Sequence, residues 1–225
     1  MNIWNLILAV LPPLLLAYYI YSRDLYEKEP RKLVLKCLFY GALAFIPIFY
    51  IELFIIEVFS DGKFDLLNSV FLFSLIGVAL VEEGVKFFIL IKSPYKNKDF
   101  NEPYDGIVYA VMISLGFALV ENVLYVTGGG LEVALMRMFS AIPLHAACGV
   151  IMGYYVGKAK FDKSNKIYNI ILGLTLATLL HAIYNYFLFI NQFIIITFIA
   201  LYIGIRFSRK AIKEHQENSP FKHEN

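Results

Sequence analysis

The segment VALVEEGVKFFIL, from Val78 to Leu90, sets Glu82, Glu83 and Lys86 close together in a run that otherwise has the composition of a membrane span. Placing one acidic or basic side chain at the centre of a spanning helix costs roughly 2.5–3.5 kcal/mol. Three of them facing lipid would oppose insertion. The segment therefore belongs to a helix whose charged face meets protein or a water-filled cavity, and the rest of the chain has to supply the partners.

The rest of the chain has the composition of a membrane protein. Its 225 residues are 59% hydrophobic and 16% aromatic, with a mean hydropathy of +0.64, well above soluble domains. Six long apolar runs and one shorter run alternate with short polar segments. They read as helices over 3–21, 33–59, 66–91, 104–126, 131–157, 167–190 and 192–207. The fold class is all-α, a polytopic transmembrane helix bundle of about seven transmembrane helices. With these bounds, 17 of the 20 Lys and Arg residues fall in or beside the first, third and fifth connections and the C-terminal tail. Lys63 lies in a connection on the opposite side, while Lys86 and Arg137 lie within helices. The positive-inside rule then puts the N-terminus outside and the C-terminus in the cytoplasm. Merging the last two runs across Asn191-Gln192 would carry the basic sequence RFSRKAIKEH outside, which favours seven spans. No charge-rich block is large enough for a soluble domain, leaving one transmembrane domain over 1–207 and a short basic tail over 208–225.

The first run, Met1 to Tyr21, has no Lys or Arg ahead of its apolar stretch and contains Pro12-Pro13, so it reads as a retained, kinked helix rather than a signal peptide. Cys37 and Cys148 sit inside apolar runs and read as small apolar fillers. A net charge of +2 gives no support to nucleic-acid binding, and the partner implied by composition is the lipid bilayer.

Within the spans, the polar residues are the informative ones. Glu82 and Lys86 are four residues apart with the acid first, the favourable order for a helical ion pair. Glu83 reaches the same ammonium at a spacing of three, so one cation serves two carboxylates. The run GFALVENVLY carries Glu121 and Asn122, with Phe117 one turn before Glu121 on the same face. In RMFSAIPLHAACGVIMGYYVG, His145, Gly149, Gly153 and Gly157 form one stripe, and small residues at this spacing let helices approach closely. His145 should therefore face packed protein. His181 and Asn185 share a face one turn apart in LLHAIYNY, and Arg137 lies deep enough to orient a carboxylate or a substrate carbonyl. Glu52 and Glu57 read as outer-end residues of the second helix. At ~1.5 Å of rise per residue, Glu82, Glu83 and His145 fall near mid-membrane, with His181 and Glu121 further out.

Two enzymatic chemistries fit such a set. Peptide hydrolysis needs a base for water and donors for the oxyanion, and Glu82 and Glu83 can be base and acid while His145, His181 and Asn185 donate. Alternatively His145, His181 and Glu121 can hold Zn²⁺ with an open position, leaving another Glu as base, although no HExxH motif is present. The rival class is a small transporter or channel, because buried carboxylates and His also build proton pathways. The absence of an internal repeat weighs against it.

The ordered motifs SRDLYEKEPRKL, VEEGVKF, YDGIVYAVMISLGFALVENVLY, HAACGVIMGYYVG and LLHAIYNY resemble the PrsW family of bacterial membrane proteases, related to the CAAX prenyl endopeptidase and bacteriocin-processing group. The resemblance covers about Arg23 to Tyr186, with Ala110 where the family usually has Gly. It matches Glu82, Glu83, Glu121, His145, His181 and Asn185 to the catalytic positions, with Lys86, Phe117 and Asn122 supporting them. It implies a multi-pass enzyme of the bacterial cell membrane that makes the site-1 cut in a single-span membrane protein such as an anti-sigma factor, as part of a stress response. The middle-to-outer depth of the set is compatible with a cut on the extracytoplasmic side.

Overall fold

The computed structural model describes residues 3–59, 66–190 and 193–223, and every element among them is helical. Helix α1 (Ile3–Ser22) continues through Pro12 and Pro13, and α2 is Arg31–Phe59. The segment holding the Glu pair comprises α3 (Leu66–Leu72), a π-helical stretch (Phe73–Ala79) and α4 (Leu80–Lys92). Then follow α5 (Pro103–Phe139), α6 (Ala141–Phe161), α7 (Lys166–Phe189) and α8 (Ile194–Glu217). Among the described residues, four stretches are long and apolar enough to cross a membrane: Ile3–Ser22, Arg31–Val58, Pro103–Phe161 and Lys166–Phe189.

Three boundaries differ from the sequence reading. The Gly-Gly-Gly turn does not end a helix at 126; α5 continues to Gly130, whose φ of 67° and ψ of −151° break it. This left-handed φ is open to glycine without the cost a Cβ imposes. The helix expected over 131–157 is itself divided at Ser140, because Pro143 has no N–H to donate to the carbonyl four residues back, at Phe139. Finally, α8 runs on to Glu217, beyond the expected end at 207, and its last turns are docked. His215 Nδ1 lies 2.8 Å from the Pro103 carbonyl, and Tyr154 donates to Glu214 at 2.6 Å. Lys63 and the Asn191-Gln192 turn lie outside the described residues.

The contacts set the helix directions. Tyr104 donates to the Ile20 carbonyl and Asn122 to the Ala9 carbonyl, so α1 is antiparallel to α5. Gly41 meets Ile113 and Phe45 stacks on Phe117, so α2 runs parallel to α5. Helices α5 and α6 form the central antiparallel pair, and the glycine stripe is the reason they pack so closely. A Cβ built on Gly153 would lie 2.2 Å from the Gly106 carbonyl oxygen, and one on Gly106 would lie 2.4 Å from the Gly153 carbonyl oxygen. The stripe thus packs within the chain, and α7 closes on the other side through Gly173 against Tyr155 and Met152.

Where α1 ends and α2 and α5 begin, a second acidic group is assembled. Glu102 caps α5, Pro103 occupies its first turn, and Asp105 accepts from the Asn101 and Glu102 N–H groups at 2.7 and 2.8 Å. Glu29, whose N–H donates to Asp24 at 3.1 Å, accepts the Tyr109 hydroxyl. Burial raises the Asp24 and Glu102 carboxyls to about 7. Burial, reinforced by Asp105, raises Glu29 to about 11. Burial also lowers His215 to about 4.

Two outcomes are expected. Gly153→Ala pushes backbone against backbone and should destabilise the bundle by about 1–3 kcal/mol, whereas Gly84→Ala, within α4 and with nothing within 4 Å of the added Cβ, should hold or slightly raise the melting temperature in detergent. The raised carboxyls hold protons that the unfolded chain has released, so stability should fall as pH rises from 6.5 to 9. His215 acts in the opposite sense only below about 6.5. Melting scans should show that slope, flattened above pH 7.5 in Glu29→Gln; a flat wild-type profile would contradict the assignment.

Candidate active site

The Glu pair sits on the first turn of α4, directly after the π-helical stretch. A π turn displaces the following residues around the helix axis. Gly77 leaves room there for the Phe73 ring, which a Cβ would approach to 2.8 Å, and Phe73 in turn lies against Phe189 of α7 at 6.1 Å. The face of α4 that follows carries Glu82, Glu83 and Lys86, all buried.

Lys86 Nζ donates to Glu82 Oε2 at 2.8 Å and to Glu83 Oε1 at 2.9 Å. It also lies 3.3 Å from His145 Nδ1 and 4.2 Å from the centroid of the Phe117 ring. An ammonium only donates and a carboxylate only accepts, which assigns the imidazole tautomer. His145 accepts at Nδ1 from Lys86 and donates from Nε2 to Glu121 Oε2, 3.0 Å away. His181 donates from Nδ1 to Glu83 Oε1 at 2.9 Å, so in the neutral ring its lone pair is at Nε2. The two rings meet edge to face with centroids 5.3 Å apart.

Behind His145 a further set holds Glu121. Arg137 Nη2 donates to Glu121 Oε2 at 2.5 Å and its Nε to Asn122 Oδ1 at 2.8 Å, while Asn122 Nδ2 donates to the Ala9 carbonyl at 2.8 Å. The break at Gly130 lets Arg137 fold back toward Glu121 on the same α5. Polar contacts therefore run without interruption from α1 through α5, α6 and α4 to α7.

Glu82, Glu83, His145 and His181 each bring a ligand atom within 4.8 Å of the others. Glu83 Oε2 is buried and has no hydrogen-bond partner among the described residues. Two carboxylates and two imidazoles with an unmatched anionic oxygen suit a borderline-soft divalent cation, so the residues present fit a metal. Glu121 is outside this group. It stands one hydrogen bond away, as the carboxylate that orients a metal-binding imidazole commonly does. Cys148 is also outside it, buried against the Ala177 carbonyl at 3.6 Å.

The group opens on a cavity of about 440 Å³ whose wall includes Glu82, Glu121, Arg137, His145, His181 and Asn185. Of the residues singled out from sequence, Glu82, Glu83, Lys86, His145 and His181 converge, with Phe117 against Lys86. Glu121, Asn122 and Arg137 form the supporting set, and Asn185 lines the cavity one turn beyond His181. The sequence reading missed Glu52 of α2, which also lines the cavity. Its signal was present, a carboxylate inside an apolar run, but depth along α2 alone assigned it to the outer interface.

Comparison with known proteins agrees with this chemistry. The model of the PrsW family of intramembrane metalloproteases matches residues 29–207. Protease PrsW of Oceanobacillus iheyensis is 39% identical over 180 residues, covering 80% of each chain, and that of Bacillus subtilis strain 168 is 38% identical over 182 residues, again 80% of each. Protease PrsW of Clostridioides difficile strain 630 is 32% identical over 205 residues, 88% of this chain and 85% of the relative. No solved structure matches. A family match across most of the chain, together with a buried Glu–His group, favours the enzyme over the transporter, and the chain belongs to the PrsW family of intramembrane metalloproteases.

Proposed function

We propose that this protein makes the site-1 cut in a single-span membrane protein such as an anti-sigma factor, working in the bacterial plasma membrane. It does so as a seven-span domain over residues 1–207, with its N-terminus outside and residues 208–225 as a cytoplasmic tail. The observation that supports a hydrolytic centre is the convergence of Glu82, Glu83, His145 and His181 within 4.8 Å, with Glu82, His145 and His181 lining one cavity. The anti-sigma substrate and the extracytoplasmic side of the cut rest on the family resemblance and on the middle-to-outer position of the group.

In this reading Glu83 and Glu82 divide the proton work. Glu83 Oε2, the buried oxygen without a hydrogen-bond partner, takes the proton from the attacking water, and that same proton passes to Glu82, the carboxylate on the cavity wall, and from it to the leaving amine. Lys86 keeps both carboxylates in place through its two short bonds. Asn185 lines the cavity and its side-chain amide can donate to the oxyanion, while His181 keeps its Nδ1 proton on Glu83. Glu121 acts through His145, fixing its ring with the Nε2 proton, and Arg137 fixes Glu121. A metal, with zinc the best match to these donors, would be held by the lone-pair Nε2 of His181, by one of the two glutamates and, in place of its hydrogen bond from Lys86, by His145 Nδ1. When bound it supplies Lewis-acid polarisation of the carbonyl and a more acidic water.

The test is cleavage of a single-span substrate in proteoliposomes. Glu82→Gln and Glu83→Gln should each lower kcat by about 10²-fold or more, His145→Ala and His181→Ala should do the same, and Glu121→Gln should lower it by about 10-fold to 100-fold. Unchanged cleavage in the first four variants would overturn the reading. Product masses should place the cut toward the extracytoplasmic end of the substrate span; a cut at the cytoplasmic end would contradict the site-1 assignment.

A further inference from the structure

Of the three carboxylates that line the cavity, two have a cation: Glu82 has Lys86, which it shares with Glu83, and Glu121 has Arg137. Glu52 forms no ion pair among the described residues, and its Oε1 is buried without a hydrogen-bond partner. It comes from α2, a helix that brings no other charged side chain to the cavity wall. A carboxylate oxygen removed from water and left unpaired is unfavourable by an amount that a ligand can recover.

The position of Glu52 says what kind of ligand that is. Alongside the cavity, between α2 and α5, lies a second groove of about 310 Å³ walled by Phe45, Phe49, Phe117 and Leu124. Glu52, Glu121 and Tyr125 line both spaces. Arg137 already occupies Glu121 and lies over the Tyr125 ring at 4.2 Å. Of the three residues on the shared wall, Glu52 is therefore the one whose charge is open to an incoming group. A neutral amide would satisfy one hydrogen bond, but an ammonium or guanidinium would also cancel the charge in a site shielded from water, where that cancellation is worth most.

We propose that Glu52 is a specificity-determining residue that receives a Lys or Arg side chain of the substrate, a few residues from the scissile bond. This rests on the protease reading above, and it adds a defined sequence preference to it. Residues Glu82 and Glu83 do the chemistry; Glu52 selects which segment is presented to them.

The test uses purified protein in proteoliposomes and single-span peptides in matched sets, with Lys, norleucine or Glu at each of the three positions on either side of the cut. Wild type should favour Lys over norleucine at one position by about tenfold in kcat/KM, expressed mainly in KM. Glu52→Gln should bring that ratio to near one, and Glu52→Lys should turn the preference to the Glu peptide, a reversal that a merely structural role would not produce. Absence of any basic preference in wild type, or a preference that survives Glu52→Gln, overturns the proposal while cleavage itself leaves the protease reading standing. If no peptide is cut, the protease reading has failed separately. Equilibrium binding of the same peptides then decides the inference: tighter binding of the Lys peptide in wild type alone supports it, and equal affinities overturn it.

Discussion

Lys86 is a full positive charge with 1% of its side chain exposed, and most of the polar architecture follows from the need to satisfy it. Glu82 and Glu83 balance it from its own helix, and His145 accepts its third hydrogen bond from α6. The Phe117 ring closes the remaining side as a cation–π partner. Removing one member of a buried ion pair costs about 3–5 kcal/mol, because the charge left behind has no water to return to. Two carboxylates on one ammonium leave an anionic surplus, and His181 meets part of it by donating to Glu83. The oxygen that nothing meets, Glu83 Oε2, is the one directed to chemistry in this account.

The packing of the bundle is what brings these groups to hydrogen-bond distance. The glycine-lined contact of α5 with α6 sets how far His145 stands from Glu121, and the contact of α6 with α7 through Gly173 and Cys148 sets how far it stands from His181. The two breaks, at Gly130 and Ser140, allow Arg137 to return to a carboxylate on its own helix. Close backbone approach, rather than long side chains, supplies the precision. The docked end of α8 and the acidic rim at Asp24, Glu29 and Asp105 hold the opposite end of the same helices.

Much of this was legible in the residues themselves. Hydropathy gave most of the helical ends to within a few residues, the charged end of α8 being the exception because hydropathy stops where the lipid-facing run stops and the helix does not, and the spacing of Glu82, Glu83 and Lys86 anticipated the shared cation. The stripe from His145 to Gly157 correctly turned His145 toward protein. What escaped were features set by three-dimensional closure. The break at Ser140 depends on where Pro143 falls in the first turn of α6, and the π turn depends on the Phe73 ring packing above Gly77. Glu52 was hidden because depth along one helix says nothing about which face the neighbouring helix leaves open. Glu121 was expected as a metal ligand from its residue type, yet Arg137 and His145 hold it one bond back from the converging four.

The central claim is that Glu82, Glu83, His145 and His181 form one centre able to hold a divalent metal within the membrane. Metal content of protein purified without chelator, measured by mass spectrometry, addresses it most directly and needs no substrate. The account predicts one equivalent of a single transition metal per chain in wild type, lost in His181→Ala and in His145→Ala, with both variants still folded by melting temperature. A wild-type protein that cleaves its substrate while carrying no metal, or variants that retain a full equivalent, would contradict it.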